Sequence, residues 1–93
     1  MKAIEDIKLS MVSQLNEIFL KYPVDRRDNV IMDISHKLSP THSMQHVWKR
    51  ILQSILMHGE LPLINPLIDV IELLMKIAIE MGCDVTVSLS DQT

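Results

Sequence analysis

Residues 30–51, VIMDISHKLSPTHSMQHVWKRI, contain the pattern that decides the fold class. Apolar residues recur at helical spacing on both sides of a short polar break at Ser39-Pro40. Proline disfavours helix at the residue before it, and Thr41 or Ser43 can cap a following helix. The stretch therefore predicts two short amphipathic helices that are joined by a tight turn.

The chain before this stretch predicts a longer amphipathic helix. Apolar residues from Ile4 to Tyr22 recur every three or four positions, and Pro23 ends the periodicity. Asp25 has the short polar side chain that is preferred at a helix N-cap. We therefore expect Asp25 to cap the first helix of the central pair.

The chain after the central stretch predicts a fourth helix. Gly59 stands where a left-handed helix end is expected, and Asn65 followed by Pro66 is the usual pair at a helix start. From there to about Met81 the chain is apolar on almost all sides, apart from a narrow polar stripe. Because three short helices can hardly surround such a helix, we expect a second copy of the chain to cover the rest.

An alternating segment follows the fourth helix. Val85, Val87 and Leu89 alternate with polar residues at period two, which is the pattern of a β-strand. The sequence indicates no second strand, and a lone strand leaves its backbone groups unpaired. We therefore expect this strand to pair with its own copy in a homodimer.

Together these patterns predict one all-α domain over residues 1–93, with four to five short helices and one C-terminal β-strand that is paired in a homodimer. The helix-turn-helix-like segment covers about residues 26–58, and the dimerisation helix and strand cover about residues 66–89. The residues expected at the dimer interface are apolar: Ile71, Leu74, Met75, Ala78, Val85, Val87 and Leu89.

Charge is distributed unevenly along the chain, although the net charge is only −3. Most of the Lys and Arg residues and all four histidines lie before residue 59, whereas Lys76 is the single basic residue after it. The middle of the chain is therefore basic and its C-terminal part acidic. This polarity predicts one cationic face on a protein of negative net charge.

Cysteine usage and hydropathy indicate a cytoplasmic protein. A single cysteine, Cys83, excludes an internal disulfide and suits a reducing compartment. No apolar run follows Met1, so we expect no signal peptide. Prolines and charged residues interrupt the longest apolar stretch, Leu61 to Ala78, so we expect no membrane span.

The sequence shows no pattern that is typical of catalysis, and we expect neither catalytic residues nor a cofactor. Two glycines cannot form a Gly-rich phosphate loop, and Asp84 disfavours a thiolate at its neighbour Cys83. His42 and His46 are four residues apart, a spacing that can hold a metal ion. Because the sequence shows no complete ligand set at a recognised spacing, we expect no bound metal.

The second helix of the central pair carries the candidate DNA-binding residues. In a helix-turn-helix this helix lies in the major groove, with its N-terminal residues towards the base edges. Glutamine can contact adenine and arginine can contact guanine, whereas lysine and serine commonly contact phosphates. From these residues alone, an ordinary solvated helix face is the simpler interpretation. The candidates share the polar side of the helix: His42, Ser43, Gln45, His46, Lys49 and Arg50.

A resemblance to a known family favours DNA binding. Residues 71–89, IELLMKIAIEMGCDVTVSL, resemble the end of the Cro-like, antitoxin-type helix-turn-helix regulators, in which a leucine-rich helix, a Leu/Met-Gly pair and an alternating strand follow one another. Leu15-Asn16-Glu17-Ile18 is similar to the family's first helix, and the turn has Ser39-Pro40 in place of the usual glycine. The resemblance covers about residues 7–89 and implies a four- or five-helix DNA-binding fold, usually dimeric.

We therefore predict a small homodimeric transcriptional repressor or antitoxin-like regulator that binds operator DNA through residues 41–50. A protein partner such as a toxin is compatible with this prediction. The alternative is a helical protein-interaction module, an inhibitor or adaptor without DNA binding. Such a module would use the acidic, Met-rich C-terminal half of the chain.

Overall fold

Four α-helices form most of the chain between residues 3 and 85, the part that the computed structural model describes. A 3-10 turn at His42–Met44 leads into the third helix, and a π-helical turn at Gln53–Met57 continues it. No strand occurs between residues 3 and 85, and the all-α class is confirmed for that range. The helices are α1 (Ile4–Leu20), α2 (Val24–Leu38), α3 (Gln45–Leu52) and α4 (Val70–Glu80).

The junction between α1 and α2 differs from the predicted one. The N-cap of α2 is Pro23, not Asp25, because the proline is already extended and its carbonyl accepts a hydrogen bond from the Arg26 amide at 2.9 Å. Asp25 lies in the first turn of α2, where the negative charge of its carboxylate interacts favourably with the positive end of the helix dipole. Arg27 closes the end of α1 by donating to the carbonyl of Leu20 at 2.8 Å.

The start of α4 is also later than predicted. Asn65 does not cap the helix, because it forms an isolated turn in which its side-chain oxygen accepts from the Leu67 amide at 2.9 Å. The cap is Asp69, whose carboxylate accepts from the Glu72 amide at 3.2 Å. Two residues of capping type lie four positions apart here, and the second one starts the helix.

One hydrophobic core joins all four helices and the π-helical turn. α1 packs against the π-helical turn and against α4, and α2 packs against α3. Ser35 is the buried polar residue in this core, and its hydroxyl donates to the Met32 carbonyl at 2.9 Å. The buried apolar residues are Met11, Val12, Leu15, Phe19, Ile31, Ile34, Ile51, Leu52, Ile55, Leu56, Leu73, Leu74, Ile77 and Ala78.

This core corrects part of the expected dimer interface. Leu74 and Ala78 are buried within the chain, so they present no surface to a partner. The expectation underestimated how much of α4 a single chain can cover, because the long apolar face of α1 packs directly on it. Of the other expected residues on α4, Met75 is exposed and Ile71 is half-buried.

The predicted C-terminal strand falls largely outside the described residues. Asp84 and half-buried Val85 are its only described positions, and neither lies in a strand. Val87 and Leu89 lie outside the described range. Pairing of this segment with its own copy therefore stays a prediction.

Gly59 ends the helical region before the long loop, as predicted, with a φ of +65°. Its neighbour is Asn16 of α1, whose side-chain amide donates to the Leu56 carbonyl at 2.8 Å. A Cβ atom added at Gly59 would lie 3.2 Å from Cγ of Asn16. Gly82, after α4, has nearly the same φ, +67°, but a Cβ atom there would meet nothing within 4 Å.

Changing Gly59 to alanine is therefore expected to destabilise the protein more than changing Gly82 to alanine. Both variants place a side chain in left-handed backbone, at a cost of about 1–2 kcal/mol. At Gly59 the Asn16 side chain must also shift by a few tenths of an ångström, which weakens its hydrogen bond and adds up to about 1 kcal/mol. Urea unfolding followed by circular dichroism measures both losses, and equal losses would contradict the role of Asn16.

Candidate nucleic-acid interface

The central helix pair has the order of elements that was predicted from the sequence. α2 ends at Leu38, three residues follow, and the 3-10 turn before α3 begins at His42. A connection of three to four residues is usual between the helices of a helix-turn-helix. Because Ile31 and Ile34 of α2 and Ile51 of α3 are all in the core, the opposite side of α3 lies at the surface of the chain.

The six predicted DNA-binding residues lie on this outer side, which we call the α3 polar face. His42, Ser43, His46 and Arg50 are exposed, and Gln45 and Lys49 are half-buried. The α3 polar face consists of His42, Ser43, Gln45, His46, Lys49 and Arg50.

Two shallow depressions group these residues. The first lies against α2 and is lined by His42, Gln45, His46 and Lys49 together with Met32. The second lies further along α3 and is lined by residues that include His46, Lys49, Arg50 and Gln53. Ser43 lines neither depression, and its hydroxyl lies 3.1 Å from that of Thr41. The structure thus brings five of the six predicted residues together.

The electrostatics of the α3 polar face are simple. Residues 34–59 contain no aspartate or glutamate, and all four histidines lie among them. Within residues 3–85, Lys49 and Arg50 form no salt bridge and no side-chain hydrogen bond. Both cations are therefore available to an anionic ligand.

Lys37 is a cation near the same helix pair that is not available in this way. Its Nζ lies 2.9 Å from a carboxylate oxygen of Glu80, so the end of α2 is bridged to the end of α4. The hydrogen bond and the charge of Glu80 raise the pKa of Lys37 above its ordinary value. The ion pair holds the two helices together at the surface, where such pairs stabilise only weakly.

His36 and Gln53 lie next to the α3 polar face, although the sequence prediction did not include them. The ring centroids of His36 and His42 are 6.4 Å apart, because α2 ends beside the start of α3. Gln53 lies one turn beyond Lys49 and lines the same depression. Both residues lie in the segment 34–59, which contains no aspartate or glutamate, and this is the signal in the sequence that includes them.

Metal and thiol chemistry have little support in the described part of the chain. Between residues 3 and 85, no three His, Cys, Asp or Glu side chains are close enough to hold a metal ion. Burial, and then the charge of Asp84, raise the pKa of the Cys83 thiol, whose Sγ lies 3.5 Å from the Ala78 carbonyl oxygen. A raised pKa disfavours the reactive thiolate.

None of the helices between residues 3 and 85 is both long and apolar enough to cross a membrane.

Comparisons with known proteins neither support nor contradict the family resemblance. The chain matches no protein-family model, and neither a curated protein nor a solved structure is significantly similar to it.

Proposed function

We propose that this chain is a small DNA-binding regulator, similar to Cro-like repressors and antitoxins, that places α3 in the major groove of its operator. The helix pair has the tight connection that this mode of binding uses, and its second helix has an exposed polar face. Ile51 and Leu52 on the opposite side of α3 are in the core, so the helix is held against the rest of the chain with its polar face outward.

The side chains of the α3 polar face suit different parts of a DNA duplex. Arg50 is exposed and has the planar donor pair that matches O6 and N7 of guanine. Lys49 and Ser43 suit phosphate oxygens, which fix the position of the helix without reading sequence. Gln45 is half-buried beside α2 in the first turn of α3, and its side-chain amide can contact adenine from that position.

The observation that carries the proposal is the separation of charge. The chain has a net charge of −3, yet no carboxylate occurs from residue 34 to residue 59, where the α3 polar face lies. A phosphate backbone approaching this face would meet Lys49 and Arg50 without a competing carboxylate on the same helix. A solvated helix face with no ligand has no need of such a separation.

The proposal is tested by the salt dependence of binding to a labelled duplex that carries the DNA upstream of the protein's own coding region. Each phosphate that a Lys or Arg neutralises contributes a log–log slope of about −0.9, so one contact from Lys49 per chain predicts a slope of about −1.8 for a dimer. Affinity should then fall roughly tenfold between about 50 and 200 mM salt. Fluorescence polarisation measures it, and a slope near zero would reject the proposal.

A second candidate function is that of a protein-interaction module without DNA binding. Its supporting observation is the outer side of α4, where Met75 and Ile79 are exposed between Glu72 and Glu80. An exposed apolar patch that includes a flexible methionine suits a protein partner, such as a toxin. Loss of DNA binding in every assay, with recovery of one stoichiometric protein partner, would favour this function.

A further inference from the structure

An apolar groove lies on the side of α3 that faces the loop of residues 58–69, and we call it the α3–loop groove. Its volume is about 470 Å³, and its walls are mostly apolar. Val47 and Ile51 come from α3, and Ile64 and Ile68 come from the loop. Ile51 connects the floor of the groove to the buried core, and the groove opens to the surface of the chain.

Two leucines of the same loop protrude into solvent: Leu63, which also lines the groove, and Leu67. The relative accessibility of Leu63 is 105% and that of Leu67 is 92%, the largest among the exposed apolar residues of the described chain. Val47 is also about half exposed, so protruding and recessed apolar surfaces lie side by side. Contiguous exposed apolar surface of this kind usually marks an interface.

The two edges of the groove carry opposite charges. Arg50 lines the edge on α3 and has no salt bridge within residues 3–85. Asp69, Glu72 and Lys76 line a small cavity that adjoins the groove at Trp48 and Ile68. Its two carboxylates outnumber its one ammonium group, and we call it the acidic edge. Glu72 also contacts Lys76 at 3.3 Å, but 63% of its side chain remains accessible.

A surface with these properties is complementary to itself. A two-fold axis along the groove sets each edge of one copy against the opposite edge of the other, so Arg50 faces the acidic edge twice. The protruding Leu63 and Leu67 of each copy then face the recessed wall of the other. Two-fold contacts require this kind of self-complementary patch.

We propose that a second copy of this chain occupies the α3–loop groove, with Leu63 and Leu67 of each copy packed in the groove of the other. This interface differs from the one that the sequence suggested on α4 and the C-terminal segment. It uses the apolar side of α3 and shares Arg50 with the α3 polar face, so a change of Arg50 affects both assays, whereas changes of Leu63 and Leu67 alter only the dimer contact.

The first test compares two double variants by sedimentation equilibrium. Leu63→Glu with Leu67→Glu is expected to convert a dimeric wild type into a monomer with an unchanged circular dichroism spectrum, since both residues are exposed. The control, Met75→Glu with Ile79→Glu on α4, is expected to remain dimeric. The proposal fails if the wild type is monomeric, if the leucine variant stays dimeric, or if the α4 variant dissociates.

The second test uses charge reversal and does not alter the apolar contacts. Arg50→Glu alone and Glu72→Lys alone should each weaken the dimer about tenfold or more, because like charges then face each other. An equimolar mixture of the two variants should form a heterodimer, since both edge contacts are again between opposite charges. Failure of the mixture to associate would overturn the proposed axis, whatever the outcome of the DNA-binding assays.

Discussion

Replacing Lys49 and Arg50 together with alanine is expected to weaken DNA binding by about 100-fold or more. A lost arginine contact to guanine costs about 1–3 kcal/mol, and a lost phosphate contact adds a smaller, salt-dependent amount. Every 1.4 kcal/mol is about tenfold in affinity. Arg50 is exposed and Lys49 is half-buried, and neither belongs to the core, so the fold should be retained.

A matched control removes the same amount of charge elsewhere. Arg26→Ala with Lys76→Ala also changes the net charge by two, and both residues are exposed on other helices. This variant should bind DNA within about threefold of the wild type at moderate salt, because distant surface charges are screened. If the wild type binds no tighter than the Lys49 and Arg50 variant, the protein-interaction function replaces DNA binding as the proposal.

Changing Leu15 to alanine is expected to cause a large loss of stability. Leu15 has no accessible surface and lies in the core that joins α1 to the π-helical turn and α4. Truncation of a buried leucine costs about 2–5 kcal/mol. Because a domain is stable by only about 5–15 kcal/mol, the urea midpoint should fall by roughly 1–3 M.

Leu20→Ala is the matched control for this variant, since it makes the same chemical change in the same helix. Leu20 is 45% accessible at the end of α1, so its loss should cost no more than about 1 kcal/mol. Urea unfolding followed by far-ultraviolet circular dichroism compares the two. Similar midpoints for both variants would contradict the position of Leu15 in the core.

The candidate site was predictable to the extent that it depends on local pattern. His42, His46 and Arg50 repeat at intervals of four residues, and such residues share a side of any helix. His42, Ser43, His46 and Arg50 are exposed as this pattern suggests, whereas Gln45 and Lys49 are half-buried. The prediction could not include His36, because the distance from this residue to His42 depends on how α2 and α3 pack.

Helix ends were less predictable than helix sides. Asn65 and Asp69 are both good capping residues, and their sequence alone does not rank them. In the folded chain Asn65 accepts its hydrogen bond within a separate turn, so the helix starts at the second candidate. Asp25 lost its predicted role in a similar way, because Pro23 already supplies the extended residue before α2.

The sequence by itself determined the all-α class, the division into four helices and the polar side of α3, because the periodicity of apolar residues is a local property of a helix. Only the tertiary structure decided that α1 covers Leu74 and Ala78 and that Lys37 forms an ion pair with Glu80. It also decided that α3 and the loop after it enclose an apolar groove. These features depend on contacts between residues far apart in the chain. The positions of such residues are set by packing of the whole core and not by any one segment.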